Sequence, residues 1–85
     1  MIIGYVLTVC YTKKIVNAIS DGGRGTGKTS EHDCIQRCLQ RQPDCVAIDY
    51  RRVDGYCYMH NKLTAKPLKW NDCCNRYKIV CDSST

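Results

Sequence analysis

Residues 22–29, Gly-Gly-Arg-Gly-Thr-Gly-Lys-Thr, are the most conspicuous chemical motif in the sequence, because they fit the phosphate-binding pattern G-x-x-x-x-G-K-[ST]. A nucleotide-binding loop of this kind also needs a buried parallel sheet, a second acidic strand for magnesium and usually a far longer chain. Its helix starts at the Gly-Lys-Thr itself, whereas Ser30 is the better helix N-cap here. We therefore predict no nucleotide ligand and interpret residues 20–29 as an exposed, mobile, Gly-rich loop.

Metal binding is the next chemistry to consider, since His32, His60 and eight cysteines are all potential ligands. Zinc sites usually contain two C-x₂₋₄-C pairs, and only Cys34 and Cys38 have that spacing. Eight cysteines in 85 residues are instead typical of a small secreted domain stabilised by disulfides. We predict disulfides, no metal, no cofactor and an oxidising compartment.

The residues that could support catalysis have no recognisable arrangement. The sequence contains no C-x-x-C redox motif and no local signature of a Ser/His/Asp set. Asp49 and Asp54 could form a carboxylate pair near a predicted hairpin, but nothing in the sequence marks a pocket around them. We interpret them as a strand-edge and a turn residue, and predict that the protein is not an enzyme.

Tyrosines beside basic residues suggest a recognition surface, because they combine rigid aromatic area with donors for carboxylate, sulfate or sugar hydroxyls. If Cys57 faces a helix, the two-residue period of a strand directs Tyr56, Tyr58 and His60 to the opposite face. The predicted ligand-binding residues are Arg51, Arg52, Tyr56, Tyr58, His60, Lys62, Arg76 and Lys78. The alternative is that the tyrosines complete the core, since a small domain without phenylalanine needs large side chains inside.

A single helix is predicted to position these groups. Ser30 can cap its first turn, where acidic side chains are favoured by the helix dipole, and Pro43 disfavours helical geometry in the residue before it. Residues at helical spacing give it one apolar stripe, formed by Cys34, Ile35, Cys38 and Leu39. The helix is therefore expected to bury this stripe against a sheet.

Apolar and β-branched residues in short runs predict the strands of that sheet. These strands are residues 4–11, 15–19, 46–50, 56–60 and 77–81, with a turn at residues 53–55. Lys13 and Lys14 separate the first two strands. Residues 61–72 are expected to form a loop whose Pro67, Leu68 and Trp70 cover one edge of the core, and residues 82–85 a frayed tail.

The predicted elements make one α+β domain over residues 1–85, with its core at residues 5–81 and one helix on an antiparallel sheet of four or five strands. A chain of 85 residues is too short for a generous core, so covalent crosslinks must supply much of its stability.

Residues 33–60 carry a characteristic series of cysteine motifs. These are Asp-Cys34-x-x-x-Cys38, a short loop with Pro43, Cys45-Val-Ala-Ile-Asp-Tyr50 and Gly55-Tyr-Cys57-Tyr-Met-His60. The series resembles a PAN/apple domain, a family that includes the N-terminal domain of plasminogen and hepatocyte growth factor, apple repeats, microneme adhesins and leech antiplatelet proteins. The resemblance implies disulfides between Cys34 and Cys57 and between Cys38 and Cys45. The longer variant of the pattern adds one between Cys10 and Cys81.

Cys73 and Cys74 lie outside that pattern. They could bond to each other or to a second chain, or one of them could take Cys10 or Cys81 as its partner. Disulfides prefer Cα atoms about 4.4–6.8 Å apart, which adjacent residues rarely reach comfortably. A covalent homodimer through Cys73 or Cys74 is therefore predicted alongside the vicinal bond.

The resemblance implies a secreted, non-enzymatic module that recognises a carbohydrate or an extracellular protein, as in lectins and adhesins. The alternative is a structural, matrix or haemostasis-interfering protein that binds proteins or assembles through disulfides. Size, cysteines and charge alone would also suit an antimicrobial or toxin-like peptide. The net charge of +5 suits an anionic glycan without requiring one, and we predict no nucleic-acid partner.

Hydropathy predicts no membrane span, because no run of about 18 apolar residues occurs. Residues 1–9 are apolar but lack the charged start and cleavage site of a signal peptide. We therefore expect a mature secreted chain in which Met1 is an added initiator.

Overall fold

The computed structural model describes residues 7–62 and 66–84, which form one helix on a five-stranded antiparallel sheet. The elements in chain order are β1 (Leu7–Ile19), β2 (Arg24–Lys28), α1 (Glu31–Leu39), β3 (Cys45–Arg51), β4 (Tyr56–Asn61) and β5 (Lys69–Ser84). The strand order is β1-β5-β3-β4-β2, so β1 and β2 form the two edges of the sheet. The predicted α+β arrangement of one helix on a small antiparallel sheet is confirmed.

Helix α1 follows its sequence signals closely. The Ser30 side chain accepts a 3.1 Å hydrogen bond from the Asp33 backbone N–H, which caps the first turn. Cys34 and Cys38 are buried on the face turned to the sheet. The helix ends at Leu39, ahead of Pro43, as predicted. No helix in residues 7–62 and 66–84 is long and apolar enough to cross a bilayer.

The hydrophobic core lies between α1 and the central strands β3, β4 and β5. Side chains of these strands alternate between the face turned to α1 and the far face, and the hydrophobic core cluster lies on the face turned to α1. Those that pack with the helix cysteines are Ile48, Cys57, Met59, Tyr77 and Ile79. Tyr77 therefore supplies aromatic area that a core without phenylalanine otherwise lacks.

Four disulfides crosslink the fold, and all eight cysteines take part. Two of them tie α1 to the hairpin, and one joins β1 to β5. The pairs are Cys34–Cys57, Cys38–Cys45 and Cys10–Cys81. These three pairings are the ones that the PAN/apple resemblance implies.

The fourth disulfide joins the neighbours Cys73 and Cys74, whose Cα atoms are 3.7 Å apart. It lies where the pairing of β1 and β5 shifts register, so that residues 71–74 of β5 lie opposite the single residue Asn17 of β1. This irregular backbone accommodates a bond that regular strand geometry disfavours. Each sulfur is bonded to the other in this arrangement, and the covalent homodimer through Cys73 or Cys74 stays a prediction.

The strand predictions were wrong in three places. Residues 7–19 form the continuous strand β1, because Lys13 and Lys14 pair with β5 through the backbone while their side chains remain exposed. β5 begins at Lys69 rather than at residue 77, and it includes residues 82–84 of the predicted tail. The predicted first strand and core also included residues before Leu7, which lie outside the described residues, as does Thr85.

The third correction concerns the Gly-rich segment, which was predicted to be a mobile loop. Its residues Arg24–Lys28 instead form the strand β2, which pairs with β4. Glycine permits this pairing because a Cβ on Gly25 would lie 2.7 Å from the Tyr56 ring. The extended strand also differs from the compact loop that surrounds a phosphate.

The expected cover over the core is not formed by Leu68 and Trp70. Trp70 is 75% exposed and Leu68 48% exposed, because Trp70 belongs to β5, where it pairs with Ala18 at the outer part of the sheet. Residues 63–65 of the same predicted loop lie outside the described residues.

Candidate functional site

A concave site lies on the face of the sheet opposite α1, and we call it the sheet pocket. Its volume is about 270 Å³. One side is the connection from β1 to β2, and the other is formed by side chains of β3, β4 and β5. Its lining consists of residues 19–23, Asp49, Arg51, Tyr58, Cys73 and Cys74.

Beside this pocket is the aromatic–arginine cluster, which consists of Arg51, Tyr56 and Tyr58. The guanidinium carbon of Arg51 lies 5.4 Å from the Tyr56 ring centroid and 5.8 Å from that of Tyr58. The two tyrosine rings are 4.9 Å apart, and Arg51 Nη1 donates a 3.2 Å hydrogen bond to the Tyr58 hydroxyl. The cluster is thus a cation packed on two rings.

Asp54 fixes the orientation of this cation. Arg51 donates from Nε to Asp54 Oδ1 at 2.9 Å and from Nη2 to Oδ2 at 2.6 Å, a bidentate geometry. The hydrogen bonds from Arg51 lower the pKa of Asp54 from 3.8 to about 2, and the same bonds raise the pKa of Arg51. Asp54 sits in the turn that Gly55 completes with φ +74°, so turn chemistry places the carboxylate within reach of Arg51.

Beneath the pocket floor is a buried polar network around Asp49. Its Oδ2 lies 2.7 Å from His60 Nε2 and accepts a 3.1 Å hydrogen bond from the Ser20 backbone N–H. Arg76 Nε lies 2.9 Å from Asp49 Oδ1 in an ion pair, and Arg76 Nη1 donates a 2.7 Å hydrogen bond to Ser20 Oγ. The network anchors the start of the β1–β2 connection to three strands of the sheet.

A nucleophilic triad uses the residue types of Asp49, His60 and Ser20, but these three side chains are not hydrogen-bonded in the order that a triad requires. His60 Nε2 faces the carboxylate of Asp49, and the Ser20 hydroxyl accepts from Arg76 instead of facing the imidazole. His60 Nδ1 is buried without a hydrogen bond. The arrangement suits structural anchoring rather than activation of the serine.

The predicted site residues fall into two groups. Arg51, Tyr56 and Tyr58 lie together on the sheet face away from α1, as described above. His60 and Arg76 share that face but are buried, with 1% and 5% exposure, so they support the surface from below.

The remaining predicted site residues lie away from the cluster. Arg52 donates hydrogen bonds to Asn75 at 2.6 Å and Asn17 at 2.8 Å and contacts the Asp72 carbonyl, so it braces the β1–β5 irregularity. Lys78 is exposed opposite Lys13, and Lys62 is exposed just after β4. The structure therefore does not bring the basic residues together in one patch.

Sequence reasoning missed two parts of the pocket wall. The Cys73–Cys74 dipeptide stands out in the sequence, but the sequence leaves its bonding open between a vicinal bond, a bond to a second chain and a bond to Cys10 or Cys81, and predicts no place for it in a pocket. Residues 20–23 belong to the segment predicted as a mobile loop, and the contact of Ser20 with Asp49 depends on strand pairing that no local signal encodes.

Two further cavities of about 350 Å³ each occur elsewhere. One lies beyond the end of α1 and is lined in part by Arg24, Arg41 and Asp44. The other lies beside β3 and β5 and is more apolar, with Ile15, Val46 and Leu68 among its lining residues. Within the described ranges, no group of three or more His, Cys, Asp or Glu side chains is placed to hold a metal ion.

No protein-family model, curated protein or solved structure matches the chain. The PAN/apple resemblance therefore depends on the motifs of residues 33–60, and its consequences for function are proposals.

Proposed function

We propose that the chain is a secreted, non-enzymatic, PAN/apple-like recognition module that binds a carbohydrate or an extracellular protein. The observation that carries this proposal is the aromatic–arginine cluster, in which the Arg51 guanidinium packs on Tyr56 and Tyr58 beside the sheet pocket. Arg and Tyr dominate binding hot spots, because they present large rigid area together with hydrogen-bond donors. Tyr56 and Tyr58 are half-buried, so part of each ring remains accessible to a ligand.

The rigidity of the cluster supports the same function. The bidentate contact with Asp54 holds the Arg51 side chain before any ligand arrives. Immobilising a long side chain on binding costs about 0.5–1.5 kcal/mol, and a side chain that is already fixed avoids most of that cost.

Secretion is supported by the four disulfides, since such bonds persist in oxidising compartments. Three of the four pairings coincide with those that the PAN/apple resemblance implies. This agreement supports a PAN/apple-like assignment, which in turn favours adhesion or lectin-like activity.

A second candidate is a protein-binding or structural role, which includes matrix assembly and interference with haemostasis. The observation that favours it is a set of exposed apolar side chains on the β1–β5 ribbon. These are Val9, Tyr11, Val16 and Trp70, each at least half exposed. Exposed apolar residues on an edge strand and on the strand paired with it are suited to a protein partner.

A glycan array run beside a pull-down from extracellular matrix tests the proposed function. We expect a ligand from one of the two, and Arg51→Gln should weaken its binding by about tenfold or more. Arg41→Gln is the matched control, because Arg41 is exposed at the far end of α1 and lines a different cavity.

The two candidates give different patterns in this experiment. Binding that is competed by a simple sugar and lost in Arg51→Gln supports carbohydrate recognition. Binding to a matrix protein that Arg51→Gln leaves intact, but Trp70→Ser abolishes, supports the ribbon surface instead. Failure of both screens with folded protein contradicts a recognition function.

A further inference from the structure

The vicinal disulfide Cys73–Cys74 forms part of the wall of the sheet pocket. It is presented there by the irregular stretch of β5 opposite Asn17, whose own φ of +61° marks the bend in β1. Cys73 is partly exposed and Cys74 is buried. Bonded sulfur atoms lack the S–H donor of free cysteine and are soft and polarisable, so they give the pocket a small apolar surface.

This surface is held in place by hydrogen bonds from its neighbours. The Cys73 backbone N–H donates to Asn71 Oδ1 at 3.0 Å, and the Cys73 carbonyl accepts from the Arg52 backbone N–H at 3.1 Å. The opposite wall, formed by residues 19–23, is also held by hydrogen bonds, because Ser20 bonds to both Asp49 and Arg76. The pocket is therefore formed before a ligand binds.

Every charged side chain that lines the pocket already has a partner of opposite charge. Asp49 pairs with Arg76, and Arg51 pairs with Asp54. Asp21 at the rim lies 2.7 Å from Lys69 Nζ. A charged ligand would have to compete with these ion pairs, so the pocket favours a neutral one.

The polar groups of the wall nevertheless retain hydrogen-bonding capacity. A guanidinium has five N–H donors, and Arg51 uses three of them on Asp54 and Tyr58. The Tyr58 hydroxyl accepts from Arg51 and still has a proton to donate. Groups that both donate and accept match the hydroxyls of a sugar.

The size of the pocket limits what it can hold. Its volume of about 270 Å³ lies below the usual range of about 300–1,000 Å³ for drug-sized ligands. A single ring with several hydroxyls fits this space, whereas an extended oligosaccharide does not.

From these observations we propose that the sheet pocket binds one neutral pyranose residue, with an apolar face of the sugar ring against the Cys73–Cys74 disulfide and its hydroxyls toward Arg51 and Tyr58. This inference depends on the proposed recognition function and specifies its ligand class. The neutral sugar is a terminal residue of the glycan, and the vicinal disulfide serves as part of the binding surface.

The test is an NMR titration of ¹⁵N-labelled protein with methyl glycosides of glucose, galactose, mannose and N-acetylglucosamine. Glucuronic acid and galactose 6-sulfate provide the charged comparison. We expect a Kd on the order of 1 mM for at least one neutral glycoside, with shift changes confined to residues 19–23, 51, 58, 73 and 74. The Kd should stay constant between about 50 and about 500 mM NaCl, because no net charge is neutralised on binding.

The Cys73→Ala/Cys74→Ala variant should weaken binding of that glycoside by about tenfold or more. Cys10→Ala/Cys81→Ala is the matched control, since it also removes one disulfide but lies outside the pocket. The shift map of the wild-type protein decides the location even if the first variant does not fold.

The inference is overturned if only the charged sugars bind, if shifts map elsewhere, or if loss of the vicinal disulfide leaves Kd unchanged. If all sugars fail but an Arg51-dependent matrix ligand is found, the neutral-sugar inference fails and the recognition function stands. If the sugars and both screens fail, the recognition function fails with it.

Discussion

The Tyr77 hydroxyl on β5 donates a 2.7 Å hydrogen bond to Glu31 Oε1 in the first turn of α1. Asn75 Nδ2 donates to the other carboxylate oxygen at 3.0 Å, so both oxygens are engaged. Burial raises the pKa of Glu31, but the hydrogen bonds from Tyr77 and Asn75 and the nearby Lys14 and Arg52 outweigh it, and the net pKa is lowered. Burial and the bond to Glu31 raise the pKa of Tyr77.

We predict that Tyr77→Phe lowers the free energy of unfolding by about 1–2 kcal/mol, because it removes a hydrogen bond to a charged acceptor while retaining the buried ring. Urea unfolding followed by circular dichroism measures this change. Tyr11→Phe is the control, since Tyr11 is half exposed on β1 and should change stability little.

The difference between wild type and Tyr77→Phe should also depend on pH. A lowered pKa in the folded state means that ionised Glu31 stabilises the fold above its ordinary pKa of 4.5, and this contribution is lost as pH falls through the lowered value. The two unfolding curves should therefore approach each other below about pH 4.5. A constant difference from neutral to acid pH would show that the bond does not depend on the ionised carboxylate.

The buried Asp49 network predicts a much larger effect. Asp49→Asn should destabilise the protein by about 3–5 kcal/mol, because Arg76 is left as a buried cation without its carboxylate. Asp21→Asn breaks an ion pair whose side chains are 73% and 52% exposed, and it should cost less than about 1 kcal/mol. Thermal or urea unfolding of both variants gives the comparison, and similar losses in the two would contradict the anchoring role of Asp49.

The Arg51–Asp54 pair predicts an unusual titration. The Asp54 carboxyl should titrate with a midpoint of about 2 in the native protein, because the hydrogen bonds from Arg51 favour its ionised form. Stabilisation from the pair is present above the ordinary pKa of 3.8 and is lost as pH falls through about 2. Carboxyl ¹³C NMR measures the midpoint, and Arg51→Gln should return it toward 3.8. An unchanged midpoint in that variant would assign the shift to another cause.

Local sequence signals were sufficient for the helix and the central hairpin. Ser30, the cysteine spacing and Pro43 define α1 through contacts within a few residues. Gly55 with φ +74° marks the turn between β3 and β4. These elements depend on short-range chemistry, which a sequence pattern records directly.

The parts that escaped prediction depend on pairing between distant residues. β1 runs through Lys13 and Lys14 because its backbone bonds to β5, which no local pattern encodes. β2 forms because glycines allow the chain to approach β4.

The same reason explains why the site was only partly foreseen. Tyr56, Tyr58 and His60 could be placed on one face from the strand period alone, whereas the position of Arg51 beside them depends on the β3–β4 register. The buried polar network beneath them joins Asp49 on β3 to Arg76 on β5 and to His60 on β4. Predicting this network therefore requires knowledge of the strand order in the sheet.

The vicinal disulfide gives the sharpest test of the covalent structure, because the sequence allowed other partners for Cys73 and Cys74. We expect unreduced protein to be a monomer whose mass is lower than that of the reduced chain by two hydrogens for each of the four disulfides. Alkylation in denaturant should label no cysteine before reduction and all eight afterwards.

Cleavage after Lys69 and Arg76 locates that bond, since it releases both cysteines in the single peptide of residues 70–76. This peptide should have two hydrogens fewer than its reduced form and no linked partner, because Cys73 and Cys74 are bonded to each other. The Cys34–Cys57 pair is the internal control, since its two halves must appear in one linked pair of peptides. A disulfide-linked dimer of residues 70–76 would show instead that these sulfurs join two chains, and the sheet pocket would then lose part of its wall.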